Sequence, residues 1–343
     1  MGIKSLARKL LSCRSPYDAV LPYNLNWLDR DWDSIGSFLN QHPLNVVDIG
    51  ARGASLEELD PLKRFINYFA FDADSVEAAR LQNTNDHGLK SLRVFPYFVG
   101  GQNGAADFHL YKDPGTSSAL LPNEAFLQFA TSGFSVDRTV QVDARTLDSV
   151  MVSESVDDID IIKLDTQGTE YQILAHAERS LSQAFLVEVE VEFFEMYKDQ
   201  KLFPEVCQLM RNSGFELLYL NRVFMGRQAF KGESRGQLIF GDALFGRTDA
   251  LASQLPAAKK AKYIVGLIQY GHMDFAHKLY AQDEAVRNLI PGVEHFFHFY
   301  SASAWGKLKR FTIMQLEKII VLLLHARKTN QRGYDSDRSW PIR

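Results

Sequence analysis

The sequence predicts an α/β protein: a doubly wound, mostly parallel sheet with an antiparallel end, followed by a C-terminal helical extension. Three observations predict it. Residues 46–55 (VVDIGARGAS) and 159–174 (IDIIKLDTQGTEYQIL) each read as a buried strand running into a loop that opens a helix. A third strand between them, residues 68–74 (YFAFDAD), also ends on an acid. After Arg247 the strand-like runs stop and helical periodicity takes over. Strands alternating with helices build parallel sheets covered on both faces.

Residues 1–43 form a helical lead-in, with Ile3, Leu6, Leu10 and Leu11 on one face and Lys4, Arg8 and Lys9 elsewhere. Such a segment either packs on the domain, the simpler reading, or lies on a membrane surface. From Leu44 the elements come in order. LNVVDIG is the first strand, and 54–66 reads as helix. NYFAFDA is the second strand, followed by a helix from Ser75 to about Asn83. LRVFPYFVG is the third, and Pro96 within it marks an edge, an end or a bulge. DFHLYKD reads as an added strand, and PGTSSALLPN (114–123) is long and turn-rich enough for a lid or binding loop. IDIIKLD is the fourth main strand and AFLVEVEVEF (184–193) the fifth. A helix over 204–213 leads to GFELLYL and QLIFGDALF, the antiparallel end of a domain spanning 44–247. The extension, 248–343, holds helices at 257–270 and 273–281 joined at Gly271-His272, and a longer one at 307–328. The first two resemble one tetratricopeptide-like hairpin, and a single copy makes a cap, not a solenoid.

The bulk properties narrow the function classes. The 343 residues are 46% hydrophobic and 23% charged, as in a globular protein. The strongest apolar run, IIVLLLHA (319–326), falls well short of the roughly 20 residues a bilayer requires. IKSLARKLL lacks the apolar core and cleavage site of a secretory signal, and Cys13 and Cys207 form no metal spacing or disulfide framework. A cytoplasmic protein is expected. Of the net charge of −4, the residues from Thr248 onward carry +6 (14 Lys+Arg, 8 Asp+Glu), leaving −10 for residues 1–247. An acidic body argues against nucleic acid as partner. The basic helices are a solvated face on the simpler reading; otherwise they meet the inner face of a membrane, a protein partner or a second copy of this chain as a homodimer.

The strand ends carry the chemistry. Gly50 permits a tight turn and close backbone approach. A dinucleotide fingerprint needs G-x-G-x-x-G, which is absent here, and Asp48 would oppose a pyrophosphate. An acid followed by a glycine turn instead suits the ammonium and sulfonium groups of S-adenosylmethionine, with Arg52 placed for that ligand's carboxylate; a plain turn with Asp48 as helix cap is the alternative. Asp72 ends the second strand about 20 residues on, where a carboxylate accepts from both ribose hydroxyls. Lys163 and Asp165 share one face of the fourth strand, with Gln167 and Glu170 just beyond. On the fifth strand Val187, Val189 and Val191 alternate with Glu188, Glu190 and Glu192, so an acidic face meets either solvent or the crevice near Lys163. Crowded carboxylates raise one another's pKa, which suits a general base. A divalent metal on Asp165 and one glutamate is the less favoured use. His295 and His298, among Phe296, Phe297 and Phe299, read as a packed aromatic face.

Taken in order, DIGARG, FDAD, SSALLPN, RTLDSV, IKLDTQGTE, VEVEVEFFEMYKDQKLF and GDALF resemble the FkbM-type S-adenosylmethionine-dependent methyltransferases, over roughly residues 44–247. IKLDTQGTE followed by VEVEVEF and Tyr197-x-x-Gln200-x-x-Phe203 is the most specific part. The resemblance implies a class I, Rossmann-like methyltransferase sheet. It also implies methyl transfer to a hydroxyl of a sugar, polysaccharide or secondary metabolite, as in glycan biosynthesis, with S-adenosylhomocysteine as product. By position, Asp48, Gly50 and Asp72 hold the cofactor, and Ala51, Arg52, Gly53, Ala73, Val99, Gly100 and Asp165 complete the candidate set. Lys163, Asp165, Glu170, Glu188 and Glu190 fall at or near the reaction centre, with Asp165 or Glu190 as base and Lys163 tuning the pair. The commoner family turn is D-x-G-A-N-x-G; Arg52 replaces its Asn and Ala54 its last Gly, as in one branch. A scaffold that kept the fold and lost the chemistry is the competing class, and intact Asp48, Asp72 and Asp165 count against it.

Overall fold

The computed structural model describes residues 33–294 and 297, apart from 53–55, 57–58, 84–87, 131–132, 233 and 235. The chain divides into two compact units: residues 43–56 with 63–254, and residues 1–42, 57–62 and 255–343. In chain order the helices are α1 (Asp33–Gln41), α2 (Ser75–Asn83), α3 (Leu147–Ser153), α4 (Glu170–Ala175), α5 (Glu178–Gln183), α6 (Phe203–Asn212), α7 (Asp249–Gln254), α8 (Ala257–Gln269), α9 (Met273–Gln282) and α10 (Glu284–Leu289).

The first unit is built on an eight-stranded sheet. Its order is β10 (Val223–Met225), β11 (Gln237–Arg247), β8 (Leu186–Glu192), β7 (Ile161–Leu164), β1 (Leu44–Ile49), β2 (Ile66–Phe71) and β3 (Ser91–Phe95), with β9 (Phe215–Leu220) also pairing β11. Pairing is parallel from β3 through β8. It is antiparallel where β11 meets β8, β9 and β10. This is the mostly parallel sheet with an antiparallel end that the sequence predicts. The chain runs outward from β1 to β2 and β3, then returns to lay β7 on the other side of β1. The loops leaving β1 and β7 therefore diverge, and a crevice opens at their C-terminal ends.

The two faces of this sheet differ in kind. Val47, Ile49, Ile162, Leu164, Val187, Val189 and Val191 join one buried cluster with residues of α3, α4, α5 and α6. Each such aliphatic side chain contributes about 1.5–3 kcal/mol by burial. The opposite face carries Asp48, Lys163 and Glu188 in one cross-strand row, since Asp48 pairs with Lys163 and Lys163 with Glu188. The edge of the antiparallel end is clamped by Arg247, 6% exposed, which donates to the carbonyls of Ala184 (2.8 Å), Ser213 (2.9 Å) and Leu181. Its guanidinium also stacks over Phe215, 4.2 Å from the ring centroid.

A small second sheet orders as β4 (Phe98–Val99), β6 (Val136–Arg145) and β5 (Gly104–Tyr111). The segment LRVFPYFVG, expected as one strand, is two. β3 ends at Phe95 as an edge strand, and after Pro96 the chain changes sheets. Proline cannot donate to a ladder, so it falls at the break. In place of the helix expected over 54–66, Asp60–Phe65 is a 3-10 turn; 54–55 and 57–58 lie outside the described residues.

In the other unit α8 and α9 form the expected hairpin, turning at Gly271 (φ +86°). Tyr263 meets Phe275 edge-on at 5.8 Å, and Lys260 Nζ pairs with Asp283 Oδ2 at 2.6 Å. Asp283 also caps α10 by accepting from the N–H groups of Ala285 and Val286. No helix among the described residues is long and apolar enough to cross a membrane. The lead-in over 1–32, the run IIVLLLHA, the helix expected at 307–328, Cys13, His295 and His298 lie outside the described residues.

Candidate active site

The crevice is built around Gly50. Its φ of +85° is open to glycine, and a Cβ there would stand 1.9 Å from the Asp165 carbonyl oxygen. The turns after β1 and β7 thus touch backbone to backbone. Phe71 O binds the N–H groups of Gly50 (3.0 Å) and Ala51 (2.9 Å), and Asp165 N–H donates to Ile49 O at 3.0 Å. Three strand ends are locked together at one point before any side chain contributes.

Above them lies a cleft of about 260 Å³. Gly50, Arg52, Asp72, Ala73, Val99 and Asp165 line it, all from the predicted cofactor set. Asp74, Thr166 and Gln167 line it as well, and Tyr97, Phe98 and Phe108 supply aromatic wall. Pro114, Gly115 and Ser117 bring in the turn-rich loop that the sequence marks as a lid or binding loop. Asp72 Oδ1 accepts from Asp74 N–H at 2.8 Å. Burial raises its pKa from 3.8 to about 6, against the Asp74 N–H and Arg52, which lower it. Arg52 itself donates to Asp74 Oδ2 at 2.9 Å.

Behind the wall sits the buried charge row. Asp48 is 1% exposed and accepts from the Tyr68 hydroxyl through Oδ2, while Oδ1 has no hydrogen-bond partner. Burial raises its pKa, and Lys163 pulls it back. For Lys163, burial alone would favour the neutral amine. The carboxylates of Asp48, Glu188, Asp165 and Asp242 outweigh burial and hold the ammonium above its ordinary range. Lys163 and Glu188 thus brace the sheet beside Asp48 and are not part of the cleft lining.

A second set of carboxylates gathers at the edge of the cleft. Gln167 Nε2 donates to Asp165 Oδ1 and to Glu190 Oε2, each at 2.8 Å. Oxygens of Glu170, Glu190 and Glu192 lie within 4.8 Å of one another. Burial first, then Asp165, Glu192, Glu170 and Asp242, push Glu190 well above the usual carboxylate range. Burial and Glu170 do the same to Glu192. Glu170 is committed to its own loop, accepting from Thr166 N (2.7 Å), Thr166 Oγ1 (2.9 Å) and Gly168 N (3.0 Å). A carboxylate at the first turn of α4 suits the positive end of that helix. It shapes the loop that carries Asp165 and Gln167 and does not line the cleft.

Asp48, Ala51 and Gly100 stand behind the lining, Gly100 donating its N–H to Arg145 O at 2.9 Å, and Gly53 lies outside the described residues. Sequence reasoning gave no role to Tyr97, Phe98 and Phe108, which it placed only within the strand-like runs LRVFPYFVG and DFHLYKD. It noted Gln167 without a role; the signal available was its place inside IKLDTQGTE, between Asp165 and Glu170.

The family model for the methyltransferase FkbM domain matches residues 50–217. The chain is 26% identical over 192 residues to 2-O-methyltransferase NoeI of Sinorhizobium fredii (strain NBRC 101917 / NGR234), covering 54% of this chain and 77% of that protein. Among solved structures, magnesium protoporphyrin IX methyltransferase (ChlM) from Synechocystis PCC 6803 with bound SAM aligns at 13% identity and TM-score 0.31, over 68% of this chain and 80% of that one. The 1,6-didemethyltoxoflavin-N1-methyltransferase of Burkholderia thailandensis aligns at 14% identity and TM-score 0.29, over 73% and 92%. At such TM-scores the fold assignment stands on the strand order itself. Residues 50–217, which place the turn of Gly50, the Asp72 strand end and the Asp165 loop around one crevice, carry the methyltransferase FkbM domain.

Proposed function

We propose that the cleft binds S-adenosylmethionine and that the domain moves its methyl group to a hydroxyl oxygen of a sugar, glycan or secondary metabolite. The observation that carries this is the pairing of a glycine cradle with a buried acid. Gly50 lets backbone come as close as backbone can, and Asp72, 8% exposed, lines the same cleft with one oxygen engaged and Oδ2 left for a ligand. That donor and acceptor set fits a nucleoside: Asp72 accepts from ribose hydroxyls, and Phe98 and Phe108 offer apolar surface to a base. Arg52, already bound to Asp74, keeps further N–H groups for a carboxylate. Bound there, the cofactor supplies a methyl group that is already activated.

What remains for the protein is modest. It must orient an acceptor hydroxyl in line and receive its proton, and orientation supplies most of the acceleration. Asp165, at the cleft and 2.8 Å from the Gln167 amide that also binds Glu190, takes the proton. The acidic surroundings favour a neutral hydroxylated acceptor over a phosphorylated one, and the −10 charge of residues 1–247 disfavours nucleic acid. The 26% identity to a 2-O-methyltransferase supports oxygen as the receiving atom.

The test is to incubate the full chain with methyl-labelled S-adenosylmethionine and a panel of hydroxylated saccharides, and to read the products by mass spectrometry. Label in an O-methyl ether, lost in Asp165→Asn, is the expected result. Label appearing only on nitrogen, or full turnover in both Asp165→Asn and Glu190→Gln, would overturn the proposal.

A further inference from the structure

The motif Tyr197-x-x-Gln200 stands out in the sequence without an evident task, and the structure supplies one. Gln167 is held at φ +57°, a left-handed conformation that residues with a Cβ seldom adopt. Such strain persists where the surroundings over-determine it. Here they do. Ser118 Oγ donates to the Gln167 carbonyl at 2.7 Å. Tyr197 Oη lies 3.0 Å from Gln167 Oε1 and 2.9 Å from the Thr116 carbonyl. Gln200 Oε1 in turn fixes the Tyr197 turn by accepting from Met196 N (3.0 Å) and Tyr197 N (3.2 Å). Ser118 and Tyr197 are both fully buried.

These contacts decide which way the amide points. Nε2 faces two carboxylates and Oε1 faces a hydroxyl; a flipped amide would set its oxygen against both acids. Thr116 and Ser118 also belong to the loop whose Gly115 and Ser117 line the cleft. From this we infer that Gln167 is a positioning residue that holds Asp165 and Glu190 as one pair and ties that pair to the 114–118 loop through Ser118 and Tyr197. Its consequence for turnover rests on the methyl-transfer reading of the cleft.

The charged groups around the pair are Glu170, Glu192 and Asp242 near Glu190, with Asp48 and Lys163 near Asp165. None of them is altered by the variant that tests the idea, Gln167→Asn. Asparagine accepts the left-handed backbone better than glutamine, so the fold is retained, but its arm is one methylene shorter and cannot bridge both acids. Full-length protein carrying 13C at its carboxyl carbons is titrated by NMR, with Glu190→Gln to assign the resonance. Donors bound to a carboxylate favour its ionised form, so the lower titration step of the pair should rise by about one to two pH units in Gln167→Asn. Tyr197→Phe should shift it in the same direction by less. A folded Gln167→Asn, or a folded Tyr197→Phe should the first not fold, with titration steps equal to wild type would overturn the inference. Calorimetry with S-adenosylhomocysteine on the wild type separates the two ideas: failure to bind sinks the cofactor reading and leaves the titration result standing.

Discussion

Asp72→Asn should stabilise the protein at neutral pH and weaken its ligand at the same time. Asp72 is 8% exposed, and burial moves its pKa from 3.8 to about 6. The folded state therefore holds the Asp72 proton more tightly than the unfolded chain does. The stability linked to this group is fully present below about pH 4 and is lost as pH rises through about 6. A shift of about two units corresponds to about 3 kcal/mol at most, at 1.36 kcal/mol per unit. Asparagine keeps the acceptor for Asp74 N–H but carries no charge. Urea denaturation should find the variant equal to wild type near pH 4 and up to about 3 kcal/mol more stable near pH 7.5. Each charge-assisted hydrogen bond lost to the ligand is worth about 1.5–3 kcal/mol, so S-adenosylhomocysteine should bind about 10- to 100-fold more weakly. A difference in stability that ignores pH, or a variant less stable than wild type near pH 7.5, would refute this reasoning. The expected trade is the usual one for a site that keeps a charge buried for use.

Gly50→Ala places a Cβ 1.9 Å from the Asp165 carbonyl at a positive φ, and it should cost about 3 kcal/mol or more in urea unfolding and abolish S-adenosylhomocysteine binding. Lys163→Met removes the ammonium beside Asp48 and Glu188 and should destabilise by about 3–5 kcal/mol near pH 7, with the loss shrinking as the pH is lowered and Asp48, whose pKa is raised, takes up a proton. Arg247→Lys cannot reach the carbonyls of Ala184, Ser213 and Leu181 together; it should lower stability by about 2–3 kcal/mol while the folded protein binds S-adenosylhomocysteine as tightly as wild type.

Local pattern made some of this legible and not the rest. The apolar runs of β1, β2 and β7 announce buried strands, and in β8 the alternation of Val187, Val189 and Val191 with three glutamates announces a sheet face unlike the other. The turn at Gly50 is visible as a glycine after a strand, but its necessity comes from Asp165, more than a hundred residues away. Depth is equally non-local: Asp48 near the end of β1 and Asp72 just after β2 both sit at apolar strand ends, yet one is outside the cleft lining and the other in it. β6 was passed over although VDRTVQVDAR carries the period of two of a half-buried strand: Val140, Val142 and Ala144 alternate with Gln141 and Asp143 and pack with Phe98 and Phe108. The aromatic wall escaped because Phe98 and Phe108 belong to a buried cluster and line the cleft at the same time, and only the fold shows the second role. The strained Gln167 could not be read at all, since its conformation is imposed by Ser118 and Tyr197 from other segments.

The most direct measurement is calorimetric titration of the full chain with S-adenosylhomocysteine, beside Gly50→Ala and Asp72→Asn and with and without magnesium. Saturable one-to-one binding by the wild type, lost in the first variant and weakened in the second, is what the cleft geometry predicts. A well-folded wild type that binds none, with or without the metal, would contradict the assignment of this crevice to the methyl donor.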